Sequence, residues 1–79
     1  MYVSPTLYKI GNARVVMYPK DHNPPHVHVL SPEGEAKFDI QTFECLFSRG
    51  FSKKDIRRMK EYLSARKKHL MEAWDDYQA

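Results

Sequence analysis

The spacing of apolar and polar positions changes period partway along this chain. In the first half, Thr6-Leu7-Tyr8-Lys9-Ile10 and Arg14-Val15-Val16-Met17-Tyr18 flank Gly11-Asn12-Ala13, two strand-like runs around a turn signal. A second hairpin joins residues 26–30 to 36–40 through Ser31-Pro32-Glu33-Gly34. Proline in second place and glycine in fourth predict a type I turn with a left-handed last residue. Residues 43–48 form a candidate fifth strand. From residue 52 onward the period becomes helical: Ile56, Met59, Leu63, Leu70, Trp74 and Tyr77 recur at 3–4-residue spacing or its multiples, uninterrupted by Gly or Pro. Ser52 is placed as N-cap, with Asp55 three residues on as capping-box partner.

These patterns predict an α+β fold: an antiparallel four- or five-stranded sheet with one long C-terminal helix packed on one face. Residues 1–50 carry the β-meander and residues 52–78 the amphipathic helix of one domain. A helix of about 25 residues at ~1.5 Å per residue spans roughly 37 Å, whereas five-residue strands span only about 17 Å. Trp74 and Tyr77 are therefore expected to overhang the sheet, an apolar end suited to a partner chain or to self-association.

Alternation also sets a register. Val29 opposite Ala36 and Val27 opposite Phe38 make one apolar face, which the helix would cover. The same pairing sets His28 opposite Lys37 and His26 opposite Asp39 on the other face, open to solvent. A slip by one residue would mix apolar and charged side chains on both faces.

Composition narrows the class. Seventy-nine residues, 42% of them hydrophobic, suit a small globular domain. One cysteine, Cys45, excludes an internal disulfide and fits a reducing, cytoplasmic setting. No apolar run reaches the ~20 residues of a membrane helix, and the first residues are not those of a signal peptide. The net charge of +3 is unevenly spread. Residues 53–68 hold eight basic side chains against Asp55 and Glu61, residues 1–52 are balanced, and residues 69–79 are acidic. Lys53, Lys54, Arg57, Arg58 and Lys68 are thus candidate phosphate contacts.

The candidate chemistry lies in Asp21-His22-Asn23-Pro24-Pro25-His26-Val27-His28, three of the four histidines within seven residues. Three readings are open. His22, His26 and His28 could hold a divalent transition metal, with Asp21 or Asp39 completing or orienting the set. Without metal, His26 and His28 could act as acid and base on a phosphodiester, since imidazole titrates near neutral pH. His22 and Asp39 would then support them, and Lys37 would stabilise phosphoryl charge. In the third reading these are turn-capping and polar cross-strand residues only. His69, alone on the helix, is expected to have no special role.

The D-H-x-P-P-H-x-H run closely resembles the signature of a bacterial domain-of-unknown-function family, the one numbered 4160. The resemblance extends to the apolar segment ending at Val15-Val16-Met17-Tyr18 and to the helical tail Leu70-Met71-Glu72-Ala73-Trp74. Val27 departs from it, standing where an aromatic is common. Genes of that family often neighbour a second small gene, of the unknown-function family numbered 2442, in pairs that look like toxin–antitoxin modules. The resemblance implies a toxin-like protein with a nearby-encoded antitoxin as partner, and it assigns no roles to the signature residues. Combined with the residues, this gives an expected action on RNA or translation. The rival is a non-enzymatic protein- or nucleic-acid-binding module, metal-stabilised or homo-oligomeric.

Overall fold

The computed structural model describes residues 6–19 and 22–78. Five strands, β1 (Thr6–Ile10), β2 (Ala13–Val16), β3 (His26–Leu30), β4 (Glu35–Asp39) and β5 (Cys45–Arg49), form one antiparallel sheet in sequential order. Helices α1 (Lys53–Ser64) and α2 (Lys67–Gln78) follow. The architecture is α+β, and the strands fall within one or two residues of the expected runs. β2 stops two residues short of Tyr18, and the last strand starts at Cys45 rather than residue 43. Phe43 instead turns the chain with φ of 62° and buries its ring in the core. That burial offsets a left-handed backbone cost of about 1–2 kcal/mol.

The β3–β4 register is the one that alternation predicts: His26↔Asp39, Val27↔Phe38, His28↔Lys37, Val29↔Ala36. Val15, Val27, Val29, Ala36 and Phe38 are fully buried and pack with Met59, Leu63, Leu70, Ala73 and Trp74 of the helices. Two layers result, with the helices on the valine side. The expected β3–β4 turn also forms, with Ser31 and Gly34 exchanging backbone hydrogen bonds of 3.0 and 3.2 Å. Gly34, however, does not take a left-handed φ. Its role is close approach: a Cβ there would sit 1.9 Å from the Arg49 carbonyl oxygen.

The single long helix is corrected to two. A continuous helix over residues 52–78 would run about 40 Å, beyond the 34 Å greatest extent of the molecule. The break lies at Ala65 and Arg66, without Gly or Pro. The Arg66 amide bonds the Leu63 carbonyl at 2.9 Å, one residue short of the helical partner Tyr62. The Tyr62 carbonyl so released accepts from Arg66 Nη1 at 2.9 Å, and the guanidinium stacks 3.6 Å over the Tyr62 ring. Each helix is then about 18 Å long, matched to the strands. At its start α1 carries the expected capping box: Asp55 N donates to Ser52 Oγ at 3.1 Å and Ser52 N to Asp55 Oδ2 at 3.2 Å.

With the chain turned back, the expected overhang disappears. Trp74 is only 6% exposed, and Tyr77 is half-buried against the core. Neither is an uncovered aromatic end. Among the described residues no helix is long and apolar enough to cross a membrane.

Candidate functional site

Strand alternation places His26 and His28 on the sheet face away from the valine core. Their surroundings differ. His26, the first residue of β3, is 2% exposed. Its Nδ1 donates to the Pro24 carbonyl at 2.7 Å, across the turn that follows a cis Asn23–Pro24 bond. Its ring also lies 5.5 Å from that of Trp74. Because a carbonyl oxygen can only accept, Nδ1 carries a proton, and in the neutral ring Nε2 is the basic nitrogen. The next residue, Pro25, fixes this corner to the sheet through its carbonyl, which accepts from Ile40 N at 3.0 Å.

His28 is half-buried, with its Nε2 enclosed. It stands 5.1 Å from the His26 ring and 4.8 Å from the Tyr18 ring, both in edge-on geometry. His22 is exposed on the preceding loop, 5.9 Å from His26. The three imidazoles thus form a contiguous set with His26 in the middle. Lys37 is the half-buried cross-strand neighbour of His28. The histidine face is therefore more covered than open: His26 sits beneath Trp74, and α2 closes this corner by donating from Gln78 Nε2 to the Tyr18 carbonyl at 3.4 Å.

Asp39 is opposite His26, as expected, yet its carboxylate serves the following turn. Oδ1 accepts from Gln41 N at 2.6 Å and Thr42 N at 3.0 Å, an Asx-type turn, and the residue is 9% exposed. It is a turn cap before it is an orienting partner for His26.

The metal reading gains no geometry. Among the described residues no group of three His, Cys, Asp or Glu side chains is placed to hold an ion. The rings of His22, His26 and His28 meet at 55° and 71°, tilted and edge-on to one another. Asp21, the expected additional ligand, lies outside the described residues.

The candidate phosphate contacts Lys53, Lys54, Arg57, Arg58 and Lys68 are all exposed on the helices. The helical layer covers the valine face, so this basic surface and the histidine face belong to opposite layers. A ligand spanning both would have to pass around an edge.

A second polar cluster escaped sequence reasoning. His69 is not idle: its Nδ1 is hydrogen-bonded to the Tyr8 hydroxyl, tying β1 to α2. Tyr62 packs edge-on 6.0 Å from Tyr8, and Arg66 lies 5.5 Å above the Tyr8 ring. Burial pushes the Tyr8 phenol above its ordinary pKa, with Arg66 opposing and Tyr62 reinforcing the shift. Its members are up to 61 residues apart in sequence, so no local spacing signals it.

The family model of the domain of unknown function DUF4160 matches residues 12–75. The chain belongs to that family. The match takes in β2 to β5, the histidine corner, all of α1 and most of α2, and leaves β1 outside. No curated protein and no solved structure matches the chain.

Proposed function

We propose that this DUF4160 protein is a toxin-like member of a bacterial toxin–antitoxin pair that acts on RNA or the translation apparatus through its histidine face. The observation that supports the reading is the contiguous ring set His22–His26–His28, held at its centre by the Pro24 carbonyl, with Lys37 beside His28. Buried His26 is the positioning member. Exposed His22 and half-buried His28, the latter acting through the ring nitrogen other than its enclosed Nε2, are the acid and base, and Lys37 stabilises charge on the phosphoryl oxygens. The 2′-hydroxyl of RNA supplies the nucleophile, so no group on the protein needs to form a covalent bond.

A non-enzymatic binding module is the second reading. It is favoured by the engagement of His26 Nδ1 and Asp39 Oδ1 in holding the corner together. Growth of a bacterial host under induced expression separates the two. The variant of choice is His22→Ala/His28→Ala, because removing His26 would disturb packing against Trp74. Growth arrest and RNA fragmentation by the wild type, both lost in a folded double variant, support the chemical reading. Arrest by both proteins assigns the effect to binding alone, and arrest by neither removes the toxin reading.

A further inference from the structure

Away from the covered histidine corner, the sheet face opposite the helices has a composition unlike that of an inert surface. The pairing Lys9↔Arg14↔Leu30↔Glu35↔Arg49 runs across all five strands as one row. Beside it runs Val16↔His28↔Lys37↔Phe47. Strand alternation sets both rows opposite the helix-covered core. Four of these positions are cationic: Lys9, Arg14, Lys37 and Arg49. Glu35 is 3.7 Å from Arg49, an exposed pair worth little by itself. Asp39, the other acid of this face, is 9% exposed with Oδ1 held by turn amides.

Two large aromatic side chains are partly exposed on the same face. Phe47 is 46% exposed on the edge strand and Tyr18 is 38% exposed beside His28. At the far corner a cavity of about 410 Å³ is lined by Lys9, Arg14, Leu30 and Pro32. It brings two cations beside Leu30 and Pro32 and lies within the volume range of small-molecule sites.

We propose that the exposed part of this sheet face binds single-stranded RNA, the bases stacking on Phe47 and Tyr18 and the phosphates meeting Lys9, Arg14, Lys37 and Arg49. Exposed aromatics interleaved with cations are the requirement for single strands, whose unstacked bases can lie flat on rings. A duplex hides those bases and would use the cations only. Four inter-strand gaps at ~4.8 Å span about 19 Å, a footprint of about four nucleotides. The proposal deepens the RNA-directed reading by moving the polynucleotide track from the helices to the sheet, where it would pass directly over His28.

The test is fluorescence-anisotropy titration of the full chain with a labelled single-stranded RNA octamer and with a duplex of the same sequence. Three variants are compared: Phe47→Ala, Arg14→Glu/Lys37→Glu, and the helix variant Lys53→Glu/Arg57→Glu, each checked for folding by circular dichroism. Phe47 is half exposed on an edge strand, so its truncation leaves the core intact. We expect Phe47→Ala to weaken binding about five- to a hundredfold. The sheet charge reversals should weaken it at least tenfold and flatten the salt dependence. The helix variant should change it less than threefold, and the duplex should bind more weakly than the single strand.

Loss of binding in the helix variant alone, preference for the duplex, or no single-strand binding by the wild type would each overturn the proposal. RNA bound on the sheet without cleavage or growth arrest would leave this inference standing and remove the catalytic one. Cleavage that depends on the helix cations would do the reverse.

Discussion

His26 Nδ1 donates a 2.7 Å hydrogen bond to the carbonyl of Pro24, two residues earlier in the chain. This contact joins the last turn of the His22–Pro25 loop to the first residue of β3. It also fixes which imidazole nitrogen carries the proton. The ring is then sandwiched by position between Trp74 at 5.5 Å and His28 at 5.1 Å, so its orientation governs how the more accessible histidines are presented.

His26→Ala is therefore expected to act first on stability. It removes one hydrogen bond, worth about 1 kcal/mol, and opens a cavity beside Trp74, for a total of about 2–4 kcal/mol. In a domain of this size each kcal/mol lowers Tm by about 4–8 °C. His28→Ala, at a half-buried site, should cost less than half as much. Denaturant midpoints of the two variants check this. Equal destabilisation would mean that His26 does not anchor the corner.

Asp39 separates a turn-capping role from a catalytic one. Asp39→Ala leaves the amides of Gln41 and Thr42 without their carboxylate acceptor and should cost about 1–2 kcal/mol. Asp39→Asn keeps an oxygen in the same place and should recover most of that loss. Any growth phenotype of the wild type should survive in the Asn variant. A folded, stable Asp39→Asn protein without the phenotype would instead make the negative charge functional.

The features legible in the sequence are those set by local alternation or by neighbours a few residues apart. Val27, Val29, Ala36 and Phe38 fix the β3–β4 register because any slip exposes them, and Ser52 with Asp55 marks the start of α1. The helix break was not legible, because its cause is one side chain. Arg66 is a good helix former, and only the fold shows its guanidinium occupying the Tyr62 carbonyl while stacked near Tyr8. The misjudged exposure of His26 follows from the same break. Alternation tells which face a residue takes, but not that α2 turns back far enough to bring Trp74 against it.

Gly34 shows a third kind of constraint, between two loops. A methyl group there meets the Arg49 carbonyl oxygen at 1.9 Å and Gly50 Cα at 2.9 Å; one at Gly50 meets the Glu33 carbonyl oxygen at 2.1 Å. Backbone lies on both sides, so neither loop can yield without parting β4 from the end of β5. Gly34→Ala should cost about 3 kcal/mol or more. Gly11→Ala has open space and only its φ of +61° against it, so about 1–2 kcal/mol is expected. Thermal melts of the two variants should rank them in that order.

Tyr8 gives the fold a pH dependence with a definite sign. Burial holds its phenol pKa above the ordinary 10.0, more strongly than Arg66 lowers it. The folded state thus favours the neutral hydroxyl, which is hydrogen-bonded to His69 Nδ1. The stabilisation is complete below pH 10, where Tyr8 is neutral in both folded and unfolded chains. It is lost as pH rises from there through the raised folded-state value, because the unfolded chain releases its proton first. Tyr8→Phe cannot ionise, so its stability should fall less steeply than that of the wild type above pH 10. Urea unfolding at a series of alkaline pH values measures the two slopes, and parallel curves would show that Tyr8 does not carry this dependence.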